Sequence, residues 1–286
     1  MWVLFAFGSA FFAGVTSILA KCGIRRTDSN VATAIRTIVV LAFSWLMVFV
    51  TGGQSGIGTA APKTWVFLIL SGLATGASWL CYFRALQLGD INKVVPVDKS
   101  STVLTMLLAF LLLREEISPL KVCCMALIAV GTGLMITKKD TGTREKSGRG
   151  WFLYACLSAL FASLTAILGK VGIQGIDANL GTAVRTGVVL VMAWVVVFVT
   201  GKGRELRGIP RVEVLFICLS GIATGASWLC YYKALQDGPA SVVVPVDKLS
   251  ILITVAFSGL VFHEKLTRKA LMGLLLIVAG TLLMLL

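Results

Sequence analysis

The sequence has little charge, and acid is the scarcer sign. Of 286 residues 14% are charged, 13 are Asp or Glu, and His263 is the only histidine. Soluble domains carry nearer a quarter charged residues. One histidine excludes a multi-histidine metal site. No nucleophile–base motif or phosphate-cradling glycine loop occurs either, so neither an enzyme nor a cofactor is expected, and ATP-driven work by this chain alone is excluded. The first apolar run begins at Trp2 with no basic segment ahead of it and is long enough to span a bilayer, so no cleavable signal peptide is expected. The seven cysteines lie mostly in apolar runs and match no metal-ligand spacing. They read as small, reduced packing residues.

What is present is apolar. Hydrophobic residues make up 57% of the chain and mean hydropathy is +0.93. Stretches of about 20 apolar residues recur, the length that crosses roughly 30 Å of hydrocarbon as a helix. The expected fold class is an all-α integral membrane protein with ten transmembrane helices. They fall near 2–20, 31–51, 64–86, 94–113, 121–137, 151–169, 180–200, 214–235, 242–262 and 270–286. The polar, basic segment KKDTGTREKSGRG at 138–150 separates five from five.

The chain also says one thing twice. LSGLATGASWLCYFRALQLGDINKVVPVDKSS (70–101) and LSGIATGASWLCYYKALQDGPASVVVPVDKLS (219–250) agree at 23 of 32 positions. The same offset of 149 pairs Lys21 with Lys170, Asp28 with Asp177, Arg36 with Arg185, Pro96 with Pro245 and Glu115 with Glu264. This is a duplicated five-helix unit, 1–137 and 151–286. Five is odd, so the second unit enters the membrane from the opposite side, giving two inverted repeats (5+5). Loop charge agrees. The loops after the odd helices hold 16 of the Lys and Arg residues, and those after the even helices hold four. Bases in short loops mark the cytoplasm, which places the linker there and both termini outside, in a plasma or inner membrane. The net charge of +13 is absorbed by these loops. No aromatic–basic interleaving points to nucleic acid.

These residues resemble the EamA-type unit of the drug/metabolite transporter superfamily over nearly the whole chain. Arg36 and Arg185 sit where that unit has an arginine early in its second helix. RALQLG and KALQDG resemble its third-helix ending, VVPVDKSS and VVPVDKLS its proline-containing fourth-helix start, and REEIS and HEKLT its glutamate-bearing loop. The resemblance implies ten helices around a central cavity and transport of small metabolites, often outward, without naming a substrate. Two features depart from it: the Asp-Lys pair, at a position usually neutral, and the charge bias toward external termini.

Ionisable groups inside membrane helices are functional candidates by default. Asp98-Lys99 and Asp247-Lys248 follow prolines that free backbone carbonyls. Neighbouring helical residues point about 100° apart, so each is expected to pair elsewhere: Lys99 with Asp247, and Asp98 with Lys248 or Arg36. A proton or substrate role and a structural ion pair both fit. Ser101 and Ser250 share the aspartates' face and would add hydrogen bonds. Arg36 and Arg185 either bind an anionic group or pair with Asp28 and Asp177. Trp79 and Tyr82, like Trp228 and Tyr231, are spaced i, i+3 and line a cavity wall or pack. Gly72-x-x-x-Gly76 and Gly221-x-x-x-Gly225 predict close helix packing. The expected function is a secondary transporter, working as a monomer, that exports a small polar metabolite such as an amino acid by proton coupling or exchange. Its rivals are a flippase of a lipid-linked sugar or phosphate, and a membrane scaffold or sensor without flux.

Overall fold

The computed structural model describes residues 1–24, 27–88, 94, 97–135, 150–206, 208–261 and 267–285. Among them are eleven α-helices and no strand: α1 (Trp2–Gly23), α2 (Ser29–Thr51), α3 (Pro62–Leu88), α4 (Ser101–Leu112), α5 (Pro119–Met135), α6 (Trp151–Gly172), α7 (Ala178–Val199), α8 (Arg211–Asp237), α9 (Ala240–Asp247), α10 (Ser250–Val261) and α11 (Arg268–Leu283). Short 3₁₀ turns, Gly53–Ile57 and Lys202–Leu206, follow α2 and α7. The linker residues 138–149, Pro96, His263 and Glu264 lie outside the described residues.

Seven segments are long and apolar enough to cross a membrane, and α5 is a shorter apolar helix. Large aliphatic and aromatic side chains remain exposed along them, among them Leu4, Phe49, Val66, Phe152, Val191 and Leu215. A surface of that kind is satisfied by lipid. The protein is a multi-pass membrane protein.

Local chemistry sets the helix ends. Asp28 caps α2 by accepting from the N–H of Asn30 and Val31, and Asp177 caps α7 by accepting from Asn179 and Leu180. Each cap satisfies two of the four orphan N–H groups of a helix start. This corrects the expectation that these aspartates pair with Arg36 and Arg185. The helix expected over 242–262 is broken. α9 ends at Asp247, Lys248 and Leu249 form a turn, and α10 begins at Ser250. Pro245 has no N–H to donate and its ring crowds the preceding turn, which weakens the helix where it breaks.

The packing crosses between the halves of the chain. α1 lies along α8, and α6 lies along α3; α2 packs on α7 and α5 on α11. The glycines expected to allow close approach do so. A Cβ built on Gly72 of α3 would lie 2.6 Å from the Val188 Cβ of α7, and one on Gly221 of α8 would lie 2.7 Å from the Val39 Cβ of α2. Val188 and Val39 are themselves 149 apart.

Candidate functional site

Each aspartate of the Asp-Lys pairs is held by a serine from the first helix of the other half. Ser158 on α6 donates to Asp98 Oδ1 at 2.7 Å, and Ser9 on α1 donates to Asp247 Oδ1 at 2.5 Å. Ser78 and Ser227 complete the two clusters by donating to the Ser158 and Ser9 carbonyls. Ser9 and Ser158 are fully buried, so these bonds form out of competition with water. The cross-pairs expected from sequence are absent among the described residues. Lys248 instead approaches its own neighbour, with Nζ 3.5 Å from Asp247 Oδ2. The backbone stays right-handed through Lys248, with i→i+3 bonds in the turn, and it is the flexible four-carbon stem that reaches back to the neighbouring carboxylate. Lys99 makes no ion pair among the described residues.

Lys99 and Lys248 face a shared cavity of about 450 Å³. Its polar wall includes Ser17, Thr102, Ser250 and Thr254. α5 and α11 supply Ile128, Thr132 and Met135, and Ile277 and Thr281, while Pro245 and Ile251 come from α9 and α10. No Asp or Glu is among the described residues that line it. The volume falls in the range of about 300–1,000 Å³ common for small-molecule sites. Ser101 is not part of this wall, while its counterpart Ser250 is.

The aromatics stand apart from it. Trp79 and Arg36 line a second, smaller cavity of about 140 Å³, where Arg36 Nη2 donates to Thr33 Oγ1 on its own helix. Tyr82 packs among Ala85, Val94 and Ala155. Tyr231 meets Tyr232 edge to face, with centroids 5.2 Å apart. Trp228 belongs to an arginine site. Arg185 is only 3% exposed. Its Nε donates to Ser71 Oγ (2.9 Å) and its Nη2 to Thr75 Oγ1 (2.6 Å), both on α3. Its guanidinium lies 5.3 Å from the Trp228 ring and 4.9 Å from the Tyr232 ring. The rings supply a negative face in place of a carboxylate. The counterparts of Ser71 and Thr75 in the other half, Ser220 and Thr224, do not receive Arg36. Ser220 donates to the Ile217 carbonyl and Thr224 to the Ser220 carbonyl. The two arginines therefore occupy unlike environments on equivalent helices.

A latch that sequence reasoning missed closes one end. Glu115, in the loop between α4 and α5, accepts from the N–H of Ala240 (2.6 Å) and Ser241 (2.9 Å) at the start of α9. Lys170 at the end of α6 donates to Glu115 (3.2 Å) and to the Gly238 carbonyl (2.5 Å). Burial alone would raise the Glu115 carboxyl, but hydrogen bonding from Ser241 and Ala240 and the charge of Lys170 outweigh it, and hold it below the usual glutamate range. The signal was present, since Glu115 and Lys170 both belong to offset-149 pairs, but a membrane-edge lysine reads as interfacial. Serines 9, 71 and 158 were missed because a lone hydroxyl in an apolar helix usually bonds its own backbone. Thr132 and Thr281 are also 149 apart, and that pairing could have directed attention to the fifth helices.

Comparison with known proteins gives the family and the fold. The model of the EamA-like transporter family matches residues 1–137 and 149–286. A transporter of undetermined substrate encoded in the cobO 3′ region of Sinorhizobium sp. is 43% identical over 136 residues, which is 48% of this chain and 96% of that protein. Human solute carrier family 35 member G1 is 25% identical over 283 residues, 95% of this chain and 75% of its own. A crystal structure of a protein 18% identical to this one superposes with a TM-score of 0.78, covering 100% of this chain and 98% of that one, and so shares its fold. This chain, with its paired halves and polar cavity between lipid-facing helices, belongs to the EamA-like transporter family.

Proposed function

We propose that the protein is a secondary active transporter, not an enzyme, that exports a small polar metabolite by alternating access. Ten membrane helices would form two inverted five-helix repeats, 1–137 and 151–286, joined by the basic segment 138–150. The observation that carries the reading is the unequal state of equivalent parts. Arg185 bonds across to Ser71 and Thr75 of α3, while its counterpart Arg36 bonds Thr33 of its own helix and leaves Ser220 to the Ile217 carbonyl and Thr224 to the Ser220 carbonyl and Thr16. Two inverted repeats in different conformations put a cavity on one side of the membrane, and exchanging their conformations opens the other. With 138–150 in the cytoplasm and both termini outside, the latch faces outward and Thr132 and Met135 lie toward the cytoplasmic end. This is then an inward-facing state, working as a monomer because one chain supplies both repeats.

Asp98 and Asp247 would carry the proton coupling, since each is a half-buried acceptor bonded across to the other repeat. Neutralising both leaves Ser158 and Ser9 with weaker acceptors at the repeat interface. Reconstituted protein is expected to move substrate against a proton gradient, and Asp98→Asn/Asp247→Asn to abolish coupled movement. Coupled flux that survives in the double variant would refute the role of the aspartates. Flux confined to lipid-linked sugars would favour the flippase.

A further inference from the structure

We infer that the cavity between the fourth and fifth helices of the two halves is a binding site for an organic monoanion, with Lys99 and Lys248 as its charged ends. This deepens the transporter reading above and rests on it for the identity of the site, though the binding claim stands on four observations of its own.

The first is charge. The described residues that line the cavity include two lysines and no carboxylate. Asp98 and Asp247, which a zwitterion would need for its ammonium group, are engaged by Ser158 and Ser9 and are not part of the wall. Asp247 still offsets Lys248 from behind at 3.5 Å. Lys99 makes no ion pair among the described residues; its neighbour Asp98 acts on it only from farther off, so of the two lysines it is the less compensated and its charge is turned to the cavity. An incompletely compensated charge at membrane depth is costly. A ligand carrying one negative charge removes that cost. A carboxylate has that charge at neutral pH, whereas a phosphate monoester carries between roughly 1.5 and 2.

The second is an orphan hydroxyl. Thr281 is fully buried in the wall of this cavity, and its Oγ1 has no hydrogen-bond partner, although its counterpart Thr132 donates to the Ile128 carbonyl. Buried hydroxyls are nearly always bonded, and this one, just behind the cavity surface, would meet a polar ligand atom after a small shift of its neighbours. The third is the wall's apolar part. Ile128, Ile251, Ile277 and Met135 line the same space, so the anion carries a hydrocarbon body. The fourth is that no aromatic stands among the described lining residues, so these offer none of the ring faces that favour organic cations.

Three probes of one shape separate the alternatives: 4-methylpentanoate, leucine and 3-methylbutylamine present an anion, a zwitterion and a cation. Binding to the purified full chain is read by titration calorimetry and thermal stabilisation, independently of flux. The expected result is binding by 4-methylpentanoate at least tenfold tighter than by either analogue. Lys99→Gln is expected to weaken it about 10- to 100-fold, the loss of one charge-assisted contact. Lys99→Arg, which keeps the charge, is expected to bind within a few-fold of the natural chain and controls for folding. Thr281→Val is expected to lower affinity without lowering the melting temperature of the unliganded protein, a split that a purely structural threonine would not show. Tighter binding of leucine or of the amine, no binding of the anion, or unchanged affinity in Lys99→Gln would each overturn the inference. The two readings fail separately. Anion binding without flux in liposomes counts against transport alone, while flux of leucine unaffected by 4-methylpentanoate counts against the anion site alone.

Discussion

Replacing Glu115 by Gln isolates the latch. The carboxylate now accepts two backbone N–H bonds at 2.6 and 2.9 Å and one lysine contact at 3.2 Å, at the start of a helix whose N-terminal dipole favours negative charge. Glutamine keeps one acceptor oxygen. Its amide turns a donor toward a second donor and loses the ion pair. A hydrogen bond to a charged group contributes about 1.5–3 kcal/mol. Glu115 and Lys170 side chains are 11% and 16% exposed, so the ion pair is only lightly screened. A net loss of about 2 kcal/mol shifts the balance between closed and open by roughly 30-fold. The assay is pulsed electron–electron distance measurement between spin labels at Glu116 and Gln174, which flank the latch on the two loops, in a background without the seven native cysteines. A single short distance in the parent is expected to give way to a longer, broader population in Glu115→Gln. The pH dependence has a definite sign. The closed state holds the carboxyl below its usual range, so its contribution is complete at neutral pH and is lost only as pH falls through that lowered value. Distances should therefore match at pH 6 and pH 8 in the parent. An unchanged distribution in Glu115→Gln, or a parent that opens between pH 8 and 6, would refute the latch.

Two further perturbations follow from the packing. Arg185→Lys removes the fork that bonds Ser71 and Thr75 and the flat cation that faces Trp228 and Tyr232, so a loss of about 2 kcal/mol in thermal unfolding is expected, against little change for Arg36→Lys; equal losses would sink the asymmetry between the two arginines. Gly72→Val forces a side chain into Val188 at an overpacking cost of about 1–3 kcal/mol or more, whereas Gly187→Ala meets open space; comparable expression and melting of the two variants would contradict the close contact of α3 and α7.

How much was legible beforehand depends on the range of the interaction. The membrane class followed from the scarcity of charge and the length of the apolar runs, because lipid demands both of any spanning helix. The glycine contacts were legible because small residues four apart have one common use in such helices. Arg36 and Arg185 were read as equivalents, and their sequences are, yet one is buried against two rings and the other is not. Lys248 reaches the carboxylate of its own neighbour because its long stem bends back, a freedom that the angular separation of adjacent helical residues did not reveal.

By itself the sequence determined that the chain lives in a bilayer, that it is written twice at an offset of 149, and which side chains are paired candidates. Periodicity and burial cost are local, and local rules suffice for them. Only the tertiary structure decided which candidates share a space. The lysines, with threonines of the fifth helices, line one cavity, while the aspartates turn to serines on α1 and α6 and the aromatics pack elsewhere. Those choices depend on how helices far apart in the chain cross one another, and a crossing is set by the whole set of packed faces at once.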